Sequence, residues 1–176
     1  YLGATFSNLS HDLDTSELDD GSTATNVSID DSDTALGFNA GYNVNANFAI
    51  ELGYQDFGEV SVMGFSDGSG SFWAAGPAAA LAEATGTTLG VKGSYPAAEN
   101  IQLFGKIGLT SWDADFILAD NDGVFPSSDD GTDMYFGVGA TFKTGNVGIS
   151  ASFTRFDVAD TDIDALSLGV ELSLGN

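Results

Sequence analysis

The chain contains no cysteine, one histidine, three prolines and four basic residues among 176, and each shortage closes off a class of protein. Without cysteine there are no disulfides and no thiolates, and neither a zinc site nor a Cys-His nucleophile can be assembled around His11 alone. A Ser-His-Asp triad finds no G-x-S-x-G elbow, and no P-loop or helix-opening G-x-G-x-x-G occurs. No catalytic residue is therefore assigned, the chain reads as a non-enzyme, and His11 is expected in a loop. Lys92, Lys106, Lys143 and Arg155 stand against 26 acids, for a net charge of −22. That excess rules out nucleic acid as a partner, since phosphate contacts need clustered Lys and Arg. No apolar run approaches the roughly 18 residues of a membrane helix. Nor does a signal peptide head the chain, as expected of a mature form or an excerpt.

What is abundant is glycine, with 23 residues, and phenylalanine, with 13, arranged in a period of two. From Thr87 to Tyr95 the residues Leu89, Val91 and Tyr95 alternate with Gly90, Lys92 and Ser94. After a turn at Pro96–Asn100, Leu103, Ile107 and Leu109 alternate with Gln102, Phe104, Lys106 and Thr110. This is a β-hairpin, because a helix has no use for that period. The same pattern marks strands at 1–9, 35–44, 48–57, 134–143, 147–156 and 165–174. Eight strands result, joined by alternating short and long connections.

Alternation alone does not say which face is inside. A soluble barrel, such as a lipocalin-like carrier, would turn Leu, Ile and Val inward and show the other face to water. That face here is mostly Gly, Ser, Thr, Asn and Ala, whereas soluble surfaces are about 25–35% charged. The inverse arrangement accounts for the composition: apolar residues toward lipid, small polar ones in a narrow lumen. The expected fold is all-β, a single domain over 1–176 forming an eight-stranded antiparallel up-and-down transmembrane β-barrel. Phe38, Leu52, Leu103, Phe136 and Leu168 should face lipid.

The long connections are expected at about 10–34, 58–86, 113–133 and 157–164. Eight acids lie between His11 and Asp33, seven between Asp113 and Asp133, and four between Asp157 and Asp164. Pro77 followed by Ala78–Ala84 predicts a short helix, with proline at a first helical position ahead of strong helix formers. Asp120, Asp122, Asp129 and Asp130 are candidate oxygen ligands for loop calcium, although their spacing is not that of an EF-hand. No other cofactor is expected.

Tyr1-Leu2-Gly3-Ala4, Glu51-Leu52-Gly53-Tyr54, Gly90-Val91-Lys92-Gly93-Ser94-Tyr95-Pro96, Gly105-Lys106-Ile107-Gly108 with Trp112-Asp113-Ala114-Asp115, and Leu166-Ser167-Leu168-Gly169-Val170 together resemble the N-terminal barrel domain of the OmpA family. The resemblance implies a bacterial outer-membrane anchor with a structural, adhesive or weak pore role, in contact with outer-membrane lipid and lipopolysaccharide and with an extracellular protein or surface. It also implies a periplasmic peptidoglycan-binding domain, and an end at Leu174-Gly175-Asn176 without a terminal aromatic suits a barrel cut before its linker. The resemblance implies a lumen with an acid on the third strand and a base on the fourth, and a further acid and base on the sixth and seventh; Glu51 and Lys92 match the first two positions, while Thr141 and Ser150 stand at the other two. The ionisable residues left on the lumen parity, Glu51, Lys92, Lys106 and Glu171, lie at similar depth and are expected to form a compensated charge network. The functional reading is an interaction barrel that works through its acidic loops, with a low-conductance pore as the alternative.

Overall fold

The computed structural model describes residues 1–12, 18–159 and 161–174. Its strands are β1 (Leu2–Asp12), β2 (Ala24–Asp30), β3 (Ser32–Asn43), β4 (Phe48–Ser66), β5 (Gly76–Ala98), β6 (Ile101–Asp120), β7 (Gly123–Thr144), β8 (Val147–Val158) and β9 (Thr161–Leu172). All pairings are antiparallel. Going round the sheet, β4, β3, β1, β9, β8, β7, β6 and β5 follow one another, and β5 closes on β4. The expected ring of eight is thus present. β2 is a ninth strand, laid along the upper part of β4 from Ala24↔Ser66 to Asp30↔Ser61.

Closure follows from alternation. Phe38, Leu52, Leu103, Phe136 and Leu168 all point outward and are about half exposed or more, whereas Glu51, Lys92 and Thr141 point inward and are buried. Tyr42 and Tyr95 lie with Phe48 on the outer surface near the short-turn end, where aromatic rings suit the edge of the hydrocarbon. The short turns are local. In the β3–β4 turn Asn45 Oδ1 accepts hydrogen bonds from the backbone N–H groups of Asn47 and Phe48 at 2.8 and 2.9 Å. At the β7–β8 turn Gly145 takes φ +58°, a left-handed conformation that glycine adopts without a side-chain clash.

The expected long loops are shorter than read. β1, β3, β8 and β9 have 11 or 12 residues, but β4, β5, β6 and β7 run for 19, 23, 20 and 22. The segments 58–86 and 113–133 are therefore mostly strand, with turns only at the tip, and the 10–34 connection contains β2. A transmembrane strand needs about 9–11 residues, so roughly the upper half of these four strands stands outside the bilayer. With β2 they form a five-stranded wall on one side of the barrel mouth.

The helix expected at Pro77–Ala84 is instead part of β5. Ala79–Ala82 are paired on one side with Val60–Met63 of β4 and on the other with Phe116–Ala119 of β6. Two ladders of backbone hydrogen bonds override the helix propensity of alanine, which is worth only tenths of a kcal/mol per residue.

Nitroxide labels at Leu103 and Lys106 check the inversion. Leu103 should be reached by lipid-soluble oxygen and shielded from an aqueous paramagnetic reagent; greater water access at Leu103 than at Lys106 would reverse the faces.

Candidate functional site: a sealed lumen under an acidic wall

The lumen divides into two layers. The lower one is polar and charged. Lys92 Nζ makes an ion pair with Glu171 and lies 3.7 Å from Glu51 Oε1. Register places these groups: Glu51 is two residues along β4 from Ala49, the partner of Lys92, and Glu171 lies opposite Gly3 on β1. Glu51 is further held by Tyr1, whose hydroxyl donates to Oε1 at 2.6 Å, and by Asn39 Nδ2 at 3.0 Å. Lys92 also sits against the Tyr1 and Phe104 rings, 5.1 and 4.6 Å from their centroids. Three of the four expected network residues are thus brought together. Lys106, directly opposite Lys92 across the β5–β6 ladder, points toward the Tyr135 ring at 5.9 Å, and among the described residues it has no carboxylate within 4.0 Å. Thr141 and Ser150 face each other across β7 and β8.

The upper layer is apolar. Leu9, Phe57, Trp112, Tyr135, Phe156, Val158 and Ile163 form the main buried cluster of the molecule, and it fills the lumen at the end where the wall begins. Phe156 meets Phe57 edge-on at 5.0 Å between centroids and stacks on Tyr135 at 5.4 Å. Tyr135 lies over the paired Gly90 and Gly108, where a Cβ would collide with its ring or hydroxyl. Trp112 donates from Nε1 to Asp133 Oδ2 at 2.6 Å. The sequence reading missed this plug, although large aromatics on the otherwise small, polar parity were its visible signal.

His11, expected in a loop, is the eleventh residue of the chain and the next to last of β1, and it is buried beside the plug. Its Nε2 lies 2.9 Å from the Phe57 carbonyl oxygen and Nδ1 lies 3.1 Å from that of Asp31. It joins the end of β1 to the β2–β3 bend and to the top of the β4 membrane segment.

The wall carries the acids. An open groove is lined by Asp33, Asp56, Glu59, Glu83, Asp113 and Asp115, and Glu59, Glu83 and Asp115 are successive cross-strand partners. Like charges directly opposite repel. Of the basic residues only Arg155 lies on this side, where it grips Asp164 through Nε and Nη2, both at 2.6 Å, and Asp162 through Nη1 at 3.2 Å. The calcium candidates do not converge. Asp120 and Asp122 lie at the β6–β7 turn, and Asp129 and Asp130 lie on β7 opposite Ala114 and Asp113, about 20 Å along the strand at ~3.3 Å per residue. Among the described residues no group of three or more His, Asp or Glu is placed to hold a metal ion.

At the tip, carboxylates staple separate segments together. Asp20 accepts the N–H groups of Phe72 and Trp73, both at 2.8 Å. Asp120 accepts that of Ala74 at 2.9 Å, and Asp67 those of Thr23 and Ser69 at 3.0 Å. These bonds favour the charged forms. The Ser69 hydroxyl first, then backbone N–H groups, hold Asp67 down at about 2. Bonds from Ser22 and Trp73 push Asp20 below the carboxylate range, and the Ala74 N–H does the same for Asp120.

A closed eight-stranded β-barrel with an apolar exterior, a charged lumen and short turns at one end is the architecture of an outer-membrane barrel protein. The chain matches the OmpA-like transmembrane domain over residues 3–153 and belongs to that family, which places it in the bacterial outer membrane. No curated protein matches it. Among solved structures it is similar to Ail, the attachment invasion locus protein of Yersinia pestis, at 14% identity over 97% of this chain and 96% of that one, with TM-score 0.55. OprG from Pseudomonas aeruginosa gives 14% identity, 98% and 95% coverage and TM-score 0.56. The N-terminal β-barrel domain of Pseudomonas aeruginosa OprF gives 12%, 97% and 96%, and 0.53. At these identities the likeness is one of fold. With the family established, the soluble lipocalin-like alternative falls away.

Two outcomes follow. Lys92→Met leaves Glu171 and Glu51 buried without their ion-pair partner, and a buried pair broken on one side costs about 3–5 kcal/mol. Urea unfolding in detergent should show a loss of that order, part of it recovered on adding Glu51→Gln, which neutralises one of the stranded carboxylates. Separately, the tip carboxylates have lowered folded pKa values, so their contribution is complete above the unfolded value of about 3.9 and is lost as pH falls toward 2. Proteolysis of the 67–75 segment by an acid protease should therefore rise steeply between pH 4 and pH 2 relative to the barrel strands, as a ratio at each pH.

Proposed function

We propose that this protein is a closed outer-membrane anchor that holds an acidic, extracellular sheet as an interaction surface, and that its lumen is structural. The observation that carries the reading is the division of the chain's polar chemistry. Below an apolar plug Lys92 is paired with Glu171 and Glu51, whereas among the described residues that line the wall groove there are acids and no base. Outer-membrane barrels generally have short turns inside and long connections outside, which supports a wall on the cell exterior.

The surface selects its partners by charge. Ail has been solved in complex with the heparin analogue sucrose octasulfate. That ligand class does not carry over, because a polyanion would meet Glu59, Glu83, Asp113, Asp115 and Asp130 with only Arg155 as a cation nearby. Partners are instead cationic proteins or surfaces, with divalent cations relieving the repulsion among wall acids and bridging them to the phosphates of neighbouring lipopolysaccharide. The pore reading is the weaker one, since two barriers of opposite character lie in series along the lumen. A catalytic role has no support from the site: the only imidazole is occupied by backbone carbonyls.

Cells displaying the protein should bind polylysine-coated surfaces, with binding reduced several-fold by 0.5 M salt and by the quadruple variant Glu83→Gln, Asp113→Asn, Asp115→Asn, Asp130→Asn, and indifferent to heparin. Binding that ignores salt and the variant would remove the reading. In planar bilayers the wild type should be silent and Lys92→Met nearly so, with conductance appearing only when Phe57→Ser and Trp112→Ser open the plug as well.

A further inference from the structure

The wall has an inner face that overhangs the barrel mouth, and its upper part is apolar. The bulge between Asp56 and Glu59 on β4 resets the alternation, so that Val60, Val62 and Gly64 fall on the same face as Ala82, Ala80 and Ala78 of β5. Four alternate positions of β5, from Ala78 to Ala84, carry only a methyl group. Lower down that shortage is made good, because Ala84 and Phe116 pack against the plug. Higher up it is not. A cavity of about 300 Å³ remains, lined by Ile29, Val62, Ala78 and Ala80 and flanked by Leu18 and Trp73. Trp73 is fixed there by its Nε1, which donates to the Leu18 carbonyl at 2.9 Å, and by its own N–H on Asp20.

We propose that this groove binds one elongated amphiphile with an apolar body and a cationic head, such as a long-chain amine or quaternary ammonium compound. The volume is at the small end of ligand pockets, and the lining is the apolar kind that such pockets show. The hydrocarbon layer does not reach it: counted from Tyr95 the membrane segment of β5 ends near Thr85, and Ala80 lies five residues further on, about 17 Å along the strand at ~3.3 Å per residue. The choice of head group comes from the rim. Among the described residues the ionisable ones that line the cavity are Asp19 and Asp20, and the nearest cation on this side of the membrane, Arg155, is committed to Asp162 and Asp164 on the β8–β9 hairpin. An anionic amphiphile of the same length would meet carboxylates with no counter-charge, and a cationic one is drawn in by the field of the whole wall. This inference does not rest on adhesion, which uses the outer face.

The test uses the protein in lipid nanodiscs, with octyltrimethylammonium and octanoate as probes and empty discs subtracted. Calorimetry should find one saturable site for the ammonium compound, at least tenfold tighter than octanoate at low salt, with the gap narrowing as salt is raised, and a change in tryptophan emission on binding. Ala80→Phe fills the groove and should abolish the site. Ala119→Phe, at the same height but on the outer face, should leave it intact, and Ala78→Val serves as the blocking variant if Ala80→Phe does not fold. Equal affinity for octanoate, absence of a saturable site, or binding that survives a folded blocking variant would each overturn the proposal.

Discussion

Every backbone N–H and C=O in the hydrocarbon layer has to find its partner within the protein, because lipid offers none. The rest of the structure depends on that constraint. It forces the ring of β4, β3, β1, β9, β8, β7, β6 and β5 to close, it forces one face of each strand to be apolar, and it leaves a lumen so narrow that side chains must fill it. It also ends where the bilayer ends. Above that level β4 to β7 continue without their neighbours on the other side of the barrel, and a sheet with two open edges replaces a closed ring. Such a sheet is affordable only in water.

Charge placement follows the same boundary. Inside the bilayer Lys92 is held by Glu171 and Glu51, with Tyr1 and Asn39 taking up part of the remaining capacity of Glu51. A buried charge left without such partners would cost several kcal/mol. Outside, acids are packed in rows with one another, which water and salt render tolerable. The plug of Phe57, Trp112, Tyr135 and Phe156 lies between the two regimes and keeps water and ions from forming a continuous column between the wall and the buried charges.

The membrane half was legible in the sequence because the two-residue period records which face meets lipid, and nothing else competes for that signal. The inward placement of Glu51, Lys92 and Glu171 came from the same parity. The wall was not legible, for a related reason. A sheet with water on both faces has no need to alternate strongly, so Asp113–Asp133 looked like a solvated loop and Ala78–Ala84 looked like a helix. What decides those segments is pairing with strands far away in the chain, and composition carries no record of it. His11 was misplaced likewise, since its partners, the carbonyls of Asp31 and Phe57, are backbone groups.

An open-edged sheet invites another chain to add a strand, and the way this one is guarded explains several residues at once. Among the described residues β7 has no partner on the β8 side above Tyr135. Lys143 points its N–H to Asn100, on the β6 side. The unbroken register from Ile101 to Asp120 carries the two-residue period up to Pro126, whose nitrogen therefore faces the empty edge, the place where a proline costs no ladder bond. Asp129, Asp130 and Asp133 follow on the same stretch. A second copy pairing edge to edge would bring those carboxylates against their equals. On the opposite edge β2 is broken by a register shift between Thr25 and Ser28, with Asn26 at φ +55°. The acids thus serve a purpose apart from any partner: they let a long exposed sheet stand beside many copies of itself in a crowded membrane without adding strands to one another, at the cost of the repulsion that the wall carries within each molecule.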